Sequence, residues 1–313
     1  MVFMRYKGLI ASIVAGLCVV ALSFLISHNL VDQFPEDNSG PKVVTGHEQV
    51  VVTSRAVSEI MSRLDVDVIG VPQTELEASD RFAGAANIGG SMNPDMEVIR
   101  SLSPDWVFAP RTLEGSLSPR FEAARIDAAF LNLRSIDHMY AAIDELGTLL
   151  MREPQAQRLE IDHQVFLNRT QEHFDFDTPP RVLILMGLPG SYMVATPHSY
   201  IGSLVAMTGA ENVYADEAGE FLTINTEDML QRQPDIILRA AHALPADVIE
   251  MFDEEFATND IWRHFQAVEQ GHVFDLPHDQ FGMSANFEYM RALDTLRDIY
   301  TQAEIINATI QQQ

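Results

Sequence analysis

The chain has 313 residues, 47% of them apolar, enough to build one large or two medium domain cores. Acidic residues outnumber basic ones 45 to 20, giving a net charge of -25 that argues against nucleic-acid binding through a basic footprint and suits solubility in a salty or alkaline outside medium. Cys18 is the only cysteine, so neither disulfides nor thiolate metal ligands hold the fold together, and no D-x-D-x-D-G loop for calcium occurs.

The N-terminus reads as a targeting segment. Arg5 and Lys7 precede an uncharged apolar stretch from Gly8 to Ile26, so residues 1–26 are expected to be an export signal or a membrane anchor. The basic flank keeps the N-terminus inside and places the remainder of the chain outside the cell membrane. Cys18 is a candidate for lipidation, although Leu17 stands where a small residue is wanted, and Ala21-Leu22-Ser23 offers an ordinary cleavage site. Lipoprotein, cleaved signal and uncleaved anchor all stay open, with a membrane-tethered form favoured. Residues 27–46 are polar, carry Pro35, Gly40 and Pro41, and read as a flexible tether.

From residue 47 to about 150 strands and helices alternate. Val50 to Thr53 and Val68 to Val71 are expected strands, the second ended by Pro72. Between them Ser54 caps a helix running through Leu64. A loop of small residues reaches Met92, after which Asn93 is expected to cap a helix with Pro94 at its first position. Periodicity from Met139 to about His173, interrupted at Pro154, predicts a linking helix within residues 151–178. A second alternation fills residues 179–305: a strand from Val182, helices from Tyr200 and Glu227, strands at Ile236 and Val273, and a last helix from Ala285. Residues 306–313 read as a frayed tail. Such alternation predicts an α/β fold, two Rossmann-like lobes with parallel central sheets joined by one long helix.

One pattern occurs twice. Glu97 stands seven residues before Pro104-Asp105 and the apolar run from Trp106. Glu227 stands seven residues before Pro234-Asp235 and the run from Ile236. The copies lie 130 residues apart, too far for a solenoid repeat and suited to two similar lobes with a ligand in the cleft between them.

The common enzyme signatures G-x-G-x-x-G, G-x-x-x-x-G-K, G-x-S-x-G and H-E-x-x-H are missing. Open α/β sheets bind ligands outside the carboxyl ends of their strands. Three segments sit at such ends: Gly89 to Pro94, Met186 to Tyr192 and Arg239 to Pro245. Met92 and His242 are therefore expected to face the cleft from opposite lobes. A single loop methionine is most often core and a single loop histidine most often surface, but a thioether and an imidazole together suit the two axial positions of a haem iron.

Long segments then carry a family resemblance: Val182 to Tyr192, His198 to Gly202, Asn225-Thr226-Glu227, Pro234 to His242 and Asn259 to Trp262. Over roughly residues 48–300 the chain resembles the cluster III substrate-binding proteins of ABC transporters, which take siderophores, cobalamin or haem, and within them the haem-binding lipoproteins of Gram-positive uptake systems. The resemblance implies a non-enzymatic, monomeric protein that holds haem b (iron protoporphyrin IX) between its lobes, receives it from haem carriers and passes it to a permease driven by a cytoplasmic ATPase. It places the axial ligands on Met92 and His242 and the permease-docking acids on Glu97 and Glu227. Propionates are expected near Ser54, Arg55 and Arg111, with Tyr192, Met193, Phe221, Met283 and Phe287 as candidate apolar walls. A ferric siderophore or corrinoid, a haem enzyme, and an adhesin or sensor without a small ligand remain alternatives.

Overall fold

The computed structural model describes residues 48–73, 80–170, 174, 176–242 and 244–310. The expected targeting segment, tether and Cys18 lie outside the described residues. The N-terminal lobe runs β1 (Val50–Val52), α1 (Arg55–Arg63), β2 (Val68–Gln73), β3 (Ala86–Gly90), β4 (Asn93–Pro94), α2 (Met96–Leu102), β5 (Trp106–Pro110), α3 (Glu114–Ala124), β6 (Ala128–Leu131) and α4 (Ile136–Leu149). After α5 (Glu153–Thr170) the C-terminal lobe runs β7 (Arg181–Leu188), β8 (Ser191–Ala195), α6 (Tyr200–Met207), β9 (Glu211–Asn212), β10 (Phe221–Leu222), α7 (Thr226–Gln231), β11 (Ile236–Ala241), α8 (Pro245–Thr258), α9 (Gln266–Glu269), β12 (Val273–Asp275) and α10 (Tyr289–Ile310).

The first sheet has the order β4-β3-β2-β1-β5-β6 and is parallel except at the β3–β4 edge. The second has the order β10-β8-β7-β11-β12, with β9 also on β7; β7, β11 and β12 are parallel, while β8 folds back antiparallel. Strand residues alternate between faces. Val50, Val52, Phe108 and Leu131 meet α1 and α4, whereas Val51, Val107, Ala109 and Phe130 meet α2 and α3. In the second sheet Val182, Ile184, Ile236 and Leu238 face α6 and α10, and Leu183, Leu185 and Ile237 face α8, Trp262 and Phe265. The inner faces of both sheets belong to one continuous apolar cluster, so the lobes share a core through α4, α6 and α10.

The joining helix α5 has 18 residues and spans about 27 Å at 1.5 Å per residue. It starts at Glu153 after a break at Met151, whose φ is 56°, which leaves Pro154 in the first turn, where its missing N–H costs no bond. Its buried His163 stacks on Tyr140 of α4 at 4.1 Å and bonds the Tyr289 hydroxyl of α10 at 2.9 Å. Both lobes thus hold the strut.

Four local expectations are corrected. β2 continues through Pro72 to Gln73. Asp95, not Asn93, caps α2: its carboxylate accepts from Glu97 N at 2.9 Å and Val98 N at 3.1 Å, because Asn93-Pro94 is taken up pairing with Gly89-Gly90. Met186 to Tyr192 is no exit loop but a hairpin, β7 turning at Pro189-Gly190 into β8. The last helix starts at Tyr289 and runs to Ile310, into the segment expected to fray.

Candidate ligand-binding cleft

The doubled pattern folds into the same device in each lobe. Asp95 caps α2, and Asn225 caps α7 by accepting from Asp228 N at 2.9 Å. Each helix ends in a left-handed residue ahead of the Pro-Asp pair, Ser103 at φ 50° and Gln233 at φ 49°. Each aspartate then clamps the strand beside it. Asp105 accepts from Gln49 N at 2.8 Å and its own N–H donates to Gln49 O at 2.8 Å; Asp235 does both with Arg181, again at 2.8 Å. Glu97 and Glu227 project from the first turns of α2 and α7, exposed and without an ion pair among the described residues.

Met92 lies in the β3–β4 turn at the carboxyl end of the first sheet, with 60% of its surface exposed, unusual for so apolar a residue. His242 follows β11 at the carboxyl end of the second. Its N–H donates to Gly187 O at 3.0 Å, which fixes its backbone to β7. A Cβ on Gly187 would lie 2.8 Å from Phe252 of α8, so the glycine lets α8 settle on the sheet directly after His242. The half-buried His242 ring has no hydrogen bond among the described residues, and burial pushes its pKa down. It is held neutral with a nitrogen lone pair available, the state a metal-ligating imidazole needs.

The expected basic groups sit at the same end of the first sheet. Ser54 caps α1 by accepting from Val57 N at 3.3 Å, and Arg55 is paired with Glu59 at 2.8 Å. Arg111 follows β5; its buried Nε lies 3.6 Å from Glu114 Oε2, beyond hydrogen-bond distance, and has no other partner among the described residues. The side chain as a whole is 40% exposed, so its guanidinium at a strand end suits a carboxylate there.

The apolar candidates divide by face. Met193 lies on β8 opposite Met186, and Phe221, Met283 and Phe287 belong to the inner cluster. Tyr192 alternates onto the outer face, packs on Phe252 and Trp262 and donates to Glu255 at 3.2 Å, so it is not beside them. Phe287 also crosses to the first lobe, lying under the Arg63 guanidinium at 4.2 Å, and Ala285 N donates to Leu133 O at 2.6 Å.

Sequence reasoning missed a polar cluster at one side of the cleft. Arg134, Ser135 and His138 open α4, and a hollow of about 430 Å³ separates them from Pro197 and His198 of the other lobe. Ser135 Oγ lies 2.6 Å from His138 Nδ1, and Arg134 lies 3.4 Å from Nε2. Burial, Arg134 and Arg111 push the His138 pKa down. Across the gap burial pushes the Glu220 carboxyl up, against the pull of Arg134 and His198. The one available signal was an arginine close behind a buried strand: Arg134 follows the end of β6 after Asn132 and Leu133, much as Arg111 follows β5.

Comparison with known proteins agrees with this architecture. Residues 50–280 match the periplasmic binding protein family model. The high-affinity heme uptake system protein IsdE of Staphylococcus aureus is 34% identical over 281 residues, covering 88% of this chain and 95% of IsdE. The solved structure of S. aureus IsdE in complex with heme superposes with a TM-score of 0.77 at 35% identity, covering 80% of this chain and 98% of IsdE. An ABC transporter substrate-binding protein from Listeria monocytogenes EGD-e superposes with a TM-score of 0.76 at 43% identity, covering 81% of this chain and 98% of that one. The chain belongs to the periplasmic binding protein family, as a two-lobed substrate-binding protein of the ABC-transporter type.

Proposed function

We propose that this protein is the extracytoplasmic haem-binding component of an ABC-type haem import system. The observation that carries the reading is the pairing of an exposed thioether, Met92, with an unpaired neutral imidazole, His242, at the carboxyl ends of opposing lobes. Soft sulfur and neutral nitrogen donors suit the two axial positions of haem iron. The iron of haem b is the cargo here, not a reaction centre. With both axial positions taken by the protein no position is left for substrate, so the protein binds and releases without catalysis.

Met193, Phe221 and Met283 supply apolar wall, and the part-exposed Arg111 guanidinium, with Arg55 and the α1 N-terminus behind Ser54, offsets the propionate charge in a chain of net charge -25. The α5 strut, gripped by Tyr140 and Tyr289, restricts opening to a small hinge motion. Glu97 and Glu227, one per lobe, dock the monomer on arginines of the permease, whose ATPase drives import, while haem carriers upstream supply the cargo. The N-terminal segment tethers the protein to the outer face of the membrane, through lipidated Cys18 or an uncleaved helix.

The test is a hemin titration of the protein followed by absorption, beside Met92→Ala and His242→Ala. The expected result is a one-to-one Soret shift with six-coordinate low-spin bands, converted to high-spin character in either variant. A stoichiometric shift that ignores both substitutions would remove these ligands, and no shift would turn the search to ferric siderophores or corrinoids.

A further inference from the structure

The hollow between Arg134 and His198 is lined by donors that the fold does not use. It spans the lobes, with Arg134, Ser135 and His138 from the start of α4 on one side and His198 from the turn ahead of α6 on the other. Arg134 and His198 are exposed and Ser135 and His138 half-buried, so solvent reaches all four. Their partners fix the proton positions. A guanidinium only donates, so His138 Nε2, 3.4 Å from Arg134, is the accepting nitrogen and the ring proton lies on Nδ1. That Nδ1–H donates to Ser135 Oγ at 2.6 Å, and His138 N donates to the same oxygen at 3.3 Å. A hydroxyl oxygen has two lone pairs, and here both are taken. The hydroxyl proton is left to donate, and no acceptor receives it among the described residues.

The charges around the hollow point the same way. Arg134 spends one N–H on His138 and forms no ion pair among the described residues, whereas Arg55, Arg232 and Arg239 are all paired with carboxylates. Arg111 adds positive charge from the end of β5. Two carboxylates oppose them. Asp137 lines the hollow but also acts on His163, on the α5 side of α4, and Glu220 faces Arg134 and His198 with its carboxyl pushed up by burial, which lessens its negative charge. In a chain with 45 acidic and 20 basic residues, a space lined by one arginine, two histidines and one carboxylate is locally basic. Donors on both walls with an empty acceptor position between them match an oxyanion, and charge-assisted bonds of this kind are the strong ones. We infer that the hollow binds a carboxylate or phosphate group, received by the Arg134 guanidinium, the Ser135 hydroxyl and the His198 ring and so held between the lobes. The group belongs to a free small anion or to a propionate of the cargo; only the second source rests on the haem reading.

Two arms on full-length protein separate the sources. In the first, ¹⁵N-labelled histidine is followed by NMR during titration with sodium phosphate, against sodium chloride at matched ionic strength. In the second, absorption titrations compare hemin with hemin dimethyl ester, which carries no propionate charge. Both arms use the wild type and Arg134→Gln, a change at an exposed side chain. For a free anion, the His138 and His198 ring signals move saturably at millimolar phosphate, and Arg134→Gln weakens this about three- to tenfold. For a propionate, Arg134→Gln weakens hemin by a similar factor and leaves the dimethyl ester unchanged. Phosphate movement that persists unchanged in Arg134→Gln counts as no binding at this site. The inference is overturned if the first arm gives no such binding and the second shows hemin and its ester affected alike. If the wild type gives no Soret shift at all, the haem reading fails and the phosphate arm alone decides this one.

Discussion

Moved along the chain by 130 residues, the segment from Asp95 to Pro110 falls on the segment from Asn225 to Ala240, and the two lobes can be compared device by device. Cap, left-handed helix end, proline and aspartate clamp recur at equal geometry. The flanks differ. In the first lobe the strand pair before the cap is a hairpin edge that pushes Met92 into solvent; at the equivalent place in the second lobe Leu222 is half-buried and paired with Val194. After the central strand the first lobe turns into a 3-10 turn carrying Arg111 and Thr112, while the second places His242 where Thr112 would stand. The shared device is scaffold, and the ligand chemistry sits in the loops where the copies diverge.

The outer clusters differ as well, and breaking one tests how independent the lobes are. In the second lobe Trp262 stacks on Phe256 at 4.1 Å and on Phe265 at 4.6 Å, whereas the outer cluster of the first lobe holds the looser Phe121–Phe130 pair at 6.1 Å. Trp262→Ala should cost about 3–5 kcal/mol. Because the inner faces share one cluster, urea melts followed by circular dichroism and by tyrosine fluorescence should still coincide. Two separated transitions would mean that the lobes fold independently. The clamps give the smaller, symmetrical version. Asp105→Ala and Asp235→Ala should each cost about 1–2 kcal/mol and add in the double variant, as distant sites do. A clear inequality in chemical denaturation would show that one copy carries more of the fold.

Much of this was legible because the repeated signals are local. Ser54, Ser199 and Asn225 cap helices where their side chains say they should, and the strands at Val50, Trp106, Val182 and Ile236 are apolar runs ahead of turns. The failures share one cause, competition between a local signal and a pairing partner further along the chain. Asn93-Pro94 looks like a helix start, but Gly89, at φ 86°, turns the chain so that the dipeptide pairs backward, and the cap passes to Asp95. Pro189-Gly190 looks like an exit loop, but Leu188 and Ser191 close a hairpin across it, which sends Tyr192 to the face opposite Met193. The Arg134–His138 cluster left only a faint trace, because the residues it faces, Pro197 and His198, lie in the other lobe.

The strut between the lobes can be probed by pH. Burial lowers the pKa of His163, so below the ordinary histidine range of about 6.5 the unfolded chain takes up a proton that the native ring refuses. Stability contributed by the neutral ring is therefore intact above that pH and is lost as pH falls toward the lowered value. Glu160 and Asp137 oppose the shift, and the Tyr140 and Tyr289 hydroxyls stay protonated throughout. Carboxylates whose pKa is raised, such as Glu59 and Glu220, change stability in the opposite direction, so the informative quantity is a difference. Between pH 7 and 5 the wild type should lose more stability than His163→Gln in parallel urea titrations; equal slopes would remove His163 from the account.

The smallest effect on the isolated protein should come from the two glutamates that first revealed the repeat. Glu97 and Glu227 occupy the first turns of helices of seven and six residues, exposed and without an ion pair among the described residues. As partners of the helix dipole they can contribute at most about 0.3–1 kcal/mol each. Glu97→Ala and Glu227→Ala should therefore leave the hemin spectrum untouched and barely move the denaturation midpoint. If these residues only complement their helices, nothing else changes. If each docks one lobe on the permease, either substitution should lower haem-dependent ATP hydrolysis by the reconstituted transporter, and the double substitution should abolish it. A loss confined to one glutamate would show that the transporter reads the two lobes unequally, although they are built from one pattern.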